Sequence, residues 1–274
     1  MDWSLVLLSQ EIQTVIDRDP EAGGWALAVA PEEYEKAVAT LKQYQAENRG
    51  WPWQQRLSLP GFVFDWGCLA WLFLVIAFFL LQENAGFEAA GILDSQAVKS
   101  GQWWRLFTAV WLHADAAHLA TNAVIGLILL GLVLGRLGTG TGLLAACLAG
   151  AGGNLLPCFA AATRHQSLGA SGLVMGALGL SVVSSWIHWR HHPRRIRLLF
   201  GGFSAGALLF VLLGVAPGTD ILAHFGGFIS GLAIGILFNS FPKLSGAKAN
   251  LVNGFFFSVL VIIPWWAALR ATAK

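Results

Sequence analysis

Hydrophobic and polar positions along this chain fall into two regimes. Up to about residue 59 they alternate over short distances, and beyond it apolar residues run in long blocks separated by brief polar loops. In the first regime Trp25 to Ala30 (WALAVA) predicts a short strand, and Pro31 stands where a helix tolerates proline, in its first turn. Glu32, Glu33 and Glu35 suit the positive end of that helix, and Ala37, Val38, Leu41 and Tyr44 recur at helical spacing along one face. Residues 1–59 therefore read as a small α/β module, with a linker around Pro52 to Pro60, that serves as a tether. Seven apolar blocks follow, at about 62–81, 117–137, 141–161, 171–189, 196–215, 221–241 and 251–269. Each approaches the roughly 20 residues that a helix needs to cross about 30 Å of hydrocarbon. The pattern predicts an all-α polytopic membrane protein with a small N-terminal module.

Composition agrees with that reading. Of the 274 residues, 56% are hydrophobic and 12% charged, whereas soluble domains carry about 25% charged residues. The 32 glycines fit close helix approach in lipid, where small side chains let backbones meet. Cys68, Cys147 and Cys158 lie in apolar stretches without CxxC spacing and read as small core hydrophobes, so neither a disulfide framework nor a metal site is indicated. No cofactor and no nucleic-acid partner is expected. The N-terminal segment is polar, lacks a secretory signal and is expected in the cytosol. With that orientation Arg136, Arg190, Arg194, Arg195, Arg197, Lys243 and Lys248 fall on the cytosolic side. Lys99, Arg105, Arg164, Arg270 and Lys274 fall outside, a modest excess of basic residues inside.

Polar groups within apolar blocks are costly and require a reason. His118 and Asn122 open the second block, Ser171 opens the fourth and His224 lies near the start of the sixth. At 1.5 Å per residue, Ser171 falls roughly 3–9 Å below the outer edge of the hydrocarbon, and His224 about 6 Å. A serine hydroxyl becomes a nucleophile when a base takes its proton, and histidine has the near-neutral pKa for that task. His118 and Asn122, four apart on one helix face, offer two donors to an oxyanion, and the backbone N–H groups at the head of the fourth helix offer more. Taken singly, each residue has a plainer reading: a packing seam for the GASG stripe, an interhelical hydrogen bond for Asn122, a core histidine or proton relay for His224. The glycines Gly227, Gly231 and Gly235 read as helix packing. Convergence at one depth favours a single site.

The same residues resemble the rhomboid family of intramembrane serine proteases. Trp104 and Arg105 in WWRLFTAVWLH are similar to its Trp-Arg motif, and His113 to Asn122 (HADAAHLATN) to its HxxxxHxxxN pattern. Ser171 in GASG resembles its GxSG motif, and Asp220 to Gly227 (DILAHFGG) its AHxGG motif. The resemblance implies a six-helix catalytic core over 60–242 with an added helix over 243–274, as in bacterial members with a small cytosolic N-terminal domain. It implies a Ser171–His224 dyad and an oxyanion site made by His118, Asn122 and the Ser171 amide. The substrates it implies are single-span membrane proteins, cut near the external or periplasmic face of the cell (inner) membrane. Cleavage would require local unwinding, since helical peptide bonds are closed to attack. Met175 departs from the aromatic residue often found beneath the family's histidine.

Arg105 and His113 read as structural, Arg105 pairing with loop carbonyls. Trp103, Trp104, Phe107 and Trp111 are expected to sit in the membrane interface like a partly submerged wedge, and Trp265 and Trp266 to form an interfacial belt. Two alternatives stay open: an inactive rhomboid-like protein that binds client helices, and a transporter or channel. Against the transporter, no carboxylate lies at mid-span, with Asp65, Asp115 and Asp220 near span ends.

Overall fold

The computed structural model describes residues 2–18, 24–48, 63–189, 195–214, 219–244 and 246–272. The linker around Pro52 to Pro60, and Arg190 and Arg194, lie outside the described residues. The chain forms two compact units, Met1–Phe62 and Val63–Lys274.

The first unit contains α1 (Asp2–Ser9), β1 (Val15–Arg18), β2 (Trp25–Ala28), a 3-10 turn at Pro31–Glu33 and α2 (Tyr34–Glu47). β1 and β2 pair antiparallel, with Val15 opposite Ala28 and Arg18 opposite Trp25. Leu7, Ile12 and Ala37 form its core, flanked by Leu27, Val29 and Leu41. The expected strand ends at Ala28, two residues early, and α1 and β1 were not foreseen.

The second unit is helical. Its elements are α3 (Cys68–Leu81), α4 (Phe87–Gly91), β3 (Leu93–Asp94), α5 (Ser95–Lys99), α6 (Arg105–Thr108) with a 3-10 turn at Ala109–Trp111, α7 (Ala116–Leu137), α8 (Thr139–Ala160), β4 (Gln166–Ser167), α9 (Ser171–Trp189), α10 (Arg195–Gly214), α11 (Ile221–Ser240) and α12 (Ala247–Thr272). Among the described residues α7, α8, α11 and α12 are long and apolar enough to cross a membrane, and α3, α9 and α10 contribute shorter apolar stretches. The seven expected spans correspond to α3 and α7–α12. Six helices thus form the core, and α12 is the seventh. The glycine- and alanine-rich α8 packs against α7, α9, α11 and α12, while Phe73, Phe200 and Leu251 are among the large side chains that face outward, as lipid-facing residues do. All three cysteines are buried and free.

The first span opens later than expected. Asp65 donates its N–H to the Gly131 carbonyl at 3.0 Å and accepts the Thr139 hydroxyl at 2.6 Å. Phe64 and Val63 occupy the space that side chains at Gly131 and Gly135 of α7 would fill. Residues 63–65 therefore follow a groove in α7, and the helix begins at Cys68.

Candidate active site

The heads of α7, α9 and α11 meet at one end of the bundle. Asp115 caps α7 by accepting the His118 N–H at 2.7 Å, and Asp220 caps α11 by accepting the Ala223 N–H at 3.0 Å. Such caps satisfy donors that a first turn leaves unpaired. They start the two helices so that His118 and His224 fall in opening turns, facing the same space.

Ser171 begins α9 directly after a tight turn. Gly169 has φ +134°, a conformation natural to glycine, and a β-carbon there would stand 2.8 Å from His118 Cε1. Glycine thus lets the imidazole lie against the turn. The Gly169 N–H donates to the Ala109 carbonyl at 3.0 Å, and the Ala170 N–H donates to His113 Nε2 at 3.3 Å. His113 is wholly buried. Its backbone is gripped by Gln82, which donates to the His113 carbonyl at 2.5 Å and accepts its N–H at 3.0 Å. Burial, reinforced by the neighbouring His118, pushes the His113 imidazole down to about 4. The ring is therefore neutral and able to accept a hydrogen bond from the turn that precedes Ser171.

Glycines set the distance between α9 and α11. The Gly172 carbonyl occupies the place of a Gly227 side chain, and the Gly176 carbonyl that of a Gly231 side chain. A β-carbon on Gly172 would lie 3.4 Å from the Ala223 carbonyl. The immediate neighbours of Ser171 and His224 in sequence therefore meet across the helix interface.

A cavity of about 610 Å³ opens beside this contact. Ser171, His224, His118 and Asn122 line it, with Val174 and Met175 beneath and Gln166 to Leu168 along one wall. The four residues singled out in the sequence are brought to one space. His224 and Asn122 are buried, at 3% and 5% exposure. Asn122 Nδ2 donates one hydrogen to the His118 carbonyl at 3.1 Å, so only its second N–H is directed elsewhere.

The wall was not legible in the sequence. β4 pairs with β3, Leu93 opposite Ser167 and Asp94 opposite Gln166. Asp94 caps α5 and accepts from Arg164 Nε at 2.9 Å and Gln166 Nε2 at 3.1 Å. The Arg164 guanidinium, against the opposing effect of burial and helped by the Ala97 and Gln96 N–H groups, holds the Asp94 carboxyl at about 2. His165 Nε2 lies 2.7 Å from Asp220 Oδ2. Burial raises the Asp220 carboxyl, and the hydrogen bonds from Ala223, His165 and Ser167 outweigh it and hold it below the ordinary range. Asp220 therefore joins the wall to the head of the helix that carries His224. The only sequence signal for this wall was Arg164 and His165 side by side shortly before GASG.

Arg105 donates to the Ala89 and Ile92 carbonyls at 3.0 and 2.6 Å and to Gln102 Oε1 at 2.7 Å, which makes it a brace of the segment leading into β3. Two aromatic expectations are corrected. Trp111 is fully buried, its ring 5.6 Å from Phe78, because the 3-10 turn at Ala109–Trp111 directs it inward; Trp103 is the exposed tryptophan of that segment. Trp265 is 5% exposed and stacked, whereas Trp266 is 53% exposed with the Arg270 guanidinium 4.2 Å above its ring.

A multi-pass helical fold with a cavity at the heads of three helices, into which serine, histidine and asparagine side chains are set, defines a membrane protein built around a recessed site. The Rhomboid domain profile matches residues 100–241, over half of the chain, and the chain belongs to the rhomboid family. It is 32% identical over 195 residues to RHOMBOID-like protein 1 of Arabidopsis thaliana, covering 64% of this chain and 47% of that protein. It is 30% identical over 192 residues to Rhomboid-like protease 1 of Toxoplasma gondii, covering 66% and 65%. Over 202 residues it is 30% identical to Rhomboid protease GluP of Bacillus subtilis (strain 168), covering 69% and 37%. The chain thus spans about half the length of the first curated relatives it matches.

Proposed function

We propose that this protein is an intramembrane serine endopeptidase in which Ser171 attacks the scissile carbonyl and His224 takes its proton, then returns it to the leaving amine. The observation that carries the reading is the convergence of Ser171, His224, His118 and Asn122 on one cavity, from three helices, at the backbone contact between α9 and α11. In this reading the Ser171 N–H, in the first turn of α9, and the side chains of His118 and Asn122 hold the developing oxyanion. The protease names of the Toxoplasma gondii and Bacillus subtilis relatives agree with this reading.

The proposed substrates are single-span membrane proteins whose helix unwinds to reach the cavity. The N-terminal module (residues 1–59) is cytosolic, residues 60–242 form the catalytic core and 243–274 add the seventh helix. In that orientation the cavity opens to the external or periplasmic side of the cell (inner) membrane. A fluorophosphonate probe should label the wild type and not Ser171→Ala, and both Ser171→Ala and His224→Ala should lose cleavage of a reporter transmembrane substrate while remaining folded. Cleavage by Ser171→Ala would defeat the proposal, and wild type that binds helices but is never labelled would make it an inactive client-binding protein.

A further inference from the structure

Trp265, near the end of α12, is far in sequence from every residue proposed to do chemistry. It is buried among aromatic rings: its centroid lies 4.3 Å from Phe87 at an interplanar angle of 19°, and 5.0 Å from Phe78 at 15°. It also fills most of the place of a side chain at Gly91, where a β-carbon would stand 2.5 Å from Trp265 Cη2, 3.0 Å from Cζ3 and 3.1 Å from Leu112 Cδ1, the last a terminal methyl that can give way. α12 therefore grips α4 by a ring set into a glycine notch, with Phe78 of α3 stacked on the same ring.

What α4 leads into matters. Gly91 accepts the Thr108 hydroxyl at 2.7 Å, and Ile92 accepts Arg105. The next two residues are β3, which pairs with β4. Ser95 then exchanges hydrogen bonds with His165, its N–H donating to the His165 carbonyl and its hydroxyl accepting the His165 N–H, both at 2.9 Å. His165, Gln166 and Ser167 line the cavity. A continuous set of contacts thus runs from the seventh helix through α4 and β3 to the cavity wall, and it bypasses the glycine contact that spaces Ser171 from His224.

We propose that Trp265 is a positioning residue through which the seventh helix sets the cavity wall that seats substrate. This rests on the protease reading above and assigns the added helix a part in that same site. The wall also reaches Asp220, the cap of α11, through His165, but the spacing of α9 and α11 is set by the Gly172–Gly227 backbone contact, so loosening the clamp alters the seat for an unwound substrate segment and leaves the reactivity of Ser171 intact.

The test uses the full chain reconstituted in lipid, with a single-helix reporter substrate and a small fluorophosphonate probe. Gly91→Ala should raise KM for the reporter about 3- to 10-fold with kcat within about two-fold of wild type, the signature of lost substrate binding. Its rate of fluorophosphonate labelling should match the wild type. Adding Trp265→Phe, whose smaller ring lacks the atoms nearest Gly91, should restore KM to within about two-fold. Unchanged KM in Gly91→Ala, a joint loss of kcat and labelling, or failure of the double variant to restore KM would each overturn the clamp. Absence of wild-type labelling, or cleavage by Ser171→Ala, would instead bring down the protease reading itself.

Discussion

The carbonyl of Gly172 stands where Gly227 would carry a side chain, so α9 and α11 touch backbone to backbone one residue beyond Ser171 and three beyond His224. The contact is asymmetric, since a β-carbon on Gly172 itself would meet the Ala223 carbonyl only at 3.4 Å, an ordinary packing distance.

Gly227→Ala should therefore destabilise the protein by about 3 kcal/mol, the upper part of the range for overpacking, because a backbone carbonyl cannot swing aside. Gly172→Ala should cost less than about 1 kcal/mol by comparison. Thermal unfolding of the two variants in one detergent measures the difference, and equal destabilisation would contradict the asymmetry.

Removal of one oxyanion donor typically costs about 10²- to 10³-fold in kcat. Under the proposed mechanism, in which His118 is one such donor, His118→Ala should show a loss of that size, with KM nearly unchanged. Asn122→Ala should lose less, because one of its two amide hydrogens already serves the His118 carbonyl. Steady-state cleavage of a reporter substrate separates the two.

His113 supplies a pH dependence of stability. Its imidazole is depressed from 6.5 to about 4 by burial, so between those values the unfolded chain binds a proton that the folded one does not. Stability is fully present above about pH 6.5 and falls as pH drops toward 4, by at most about 3 kcal/mol. His113→Gln should flatten this slope between pH 6.5 and 4 in melts recorded across pH, and an unchanged slope would refute the assignment.

Arg105→Lys keeps the charge but cannot span the Ala89 and Ile92 carbonyls together with Gln102, because an ammonium lacks the guanidinium fork. It should lower stability by about 1 kcal/mol, since partly exposed acceptors lose a donor that water replaces only in part. Faster hydrogen exchange over residues 87–99 would report the loosening directly.

Much of the fold and site was legible in the sequence for one physical reason. Lipid forbids isolated polar groups, so Ser171, His224, His118 and Asn122 stood out against their apolar blocks, and the blocks themselves marked α7 to α12. What stayed hidden depends on partners distant in the chain. Asp94 and Arg164 are 70 positions apart, and nothing local announces their pairing or the strands it secures. Trp111 and Trp265 looked interfacial because an aromatic residue near the end of an apolar block reads alike whether lipid or another ring covers it. Val63 and Phe64 extended the first block by their hydrophobicity, although they lie in a groove formed by glycines of α7.

The meeting of α9 and α11 through glycine has a consequence for life in varied bilayers. Side chains change rotamer and helices tilt as a membrane thins or thickens, but two main chains already in contact have no slack to take up. Under the proposed protease reading, the spacing of the helices that carry Ser171 and His224 is therefore set by the two main chains themselves, and a change of bilayer is expected to act on how a client helix arrives rather than on how those two groups are spaced.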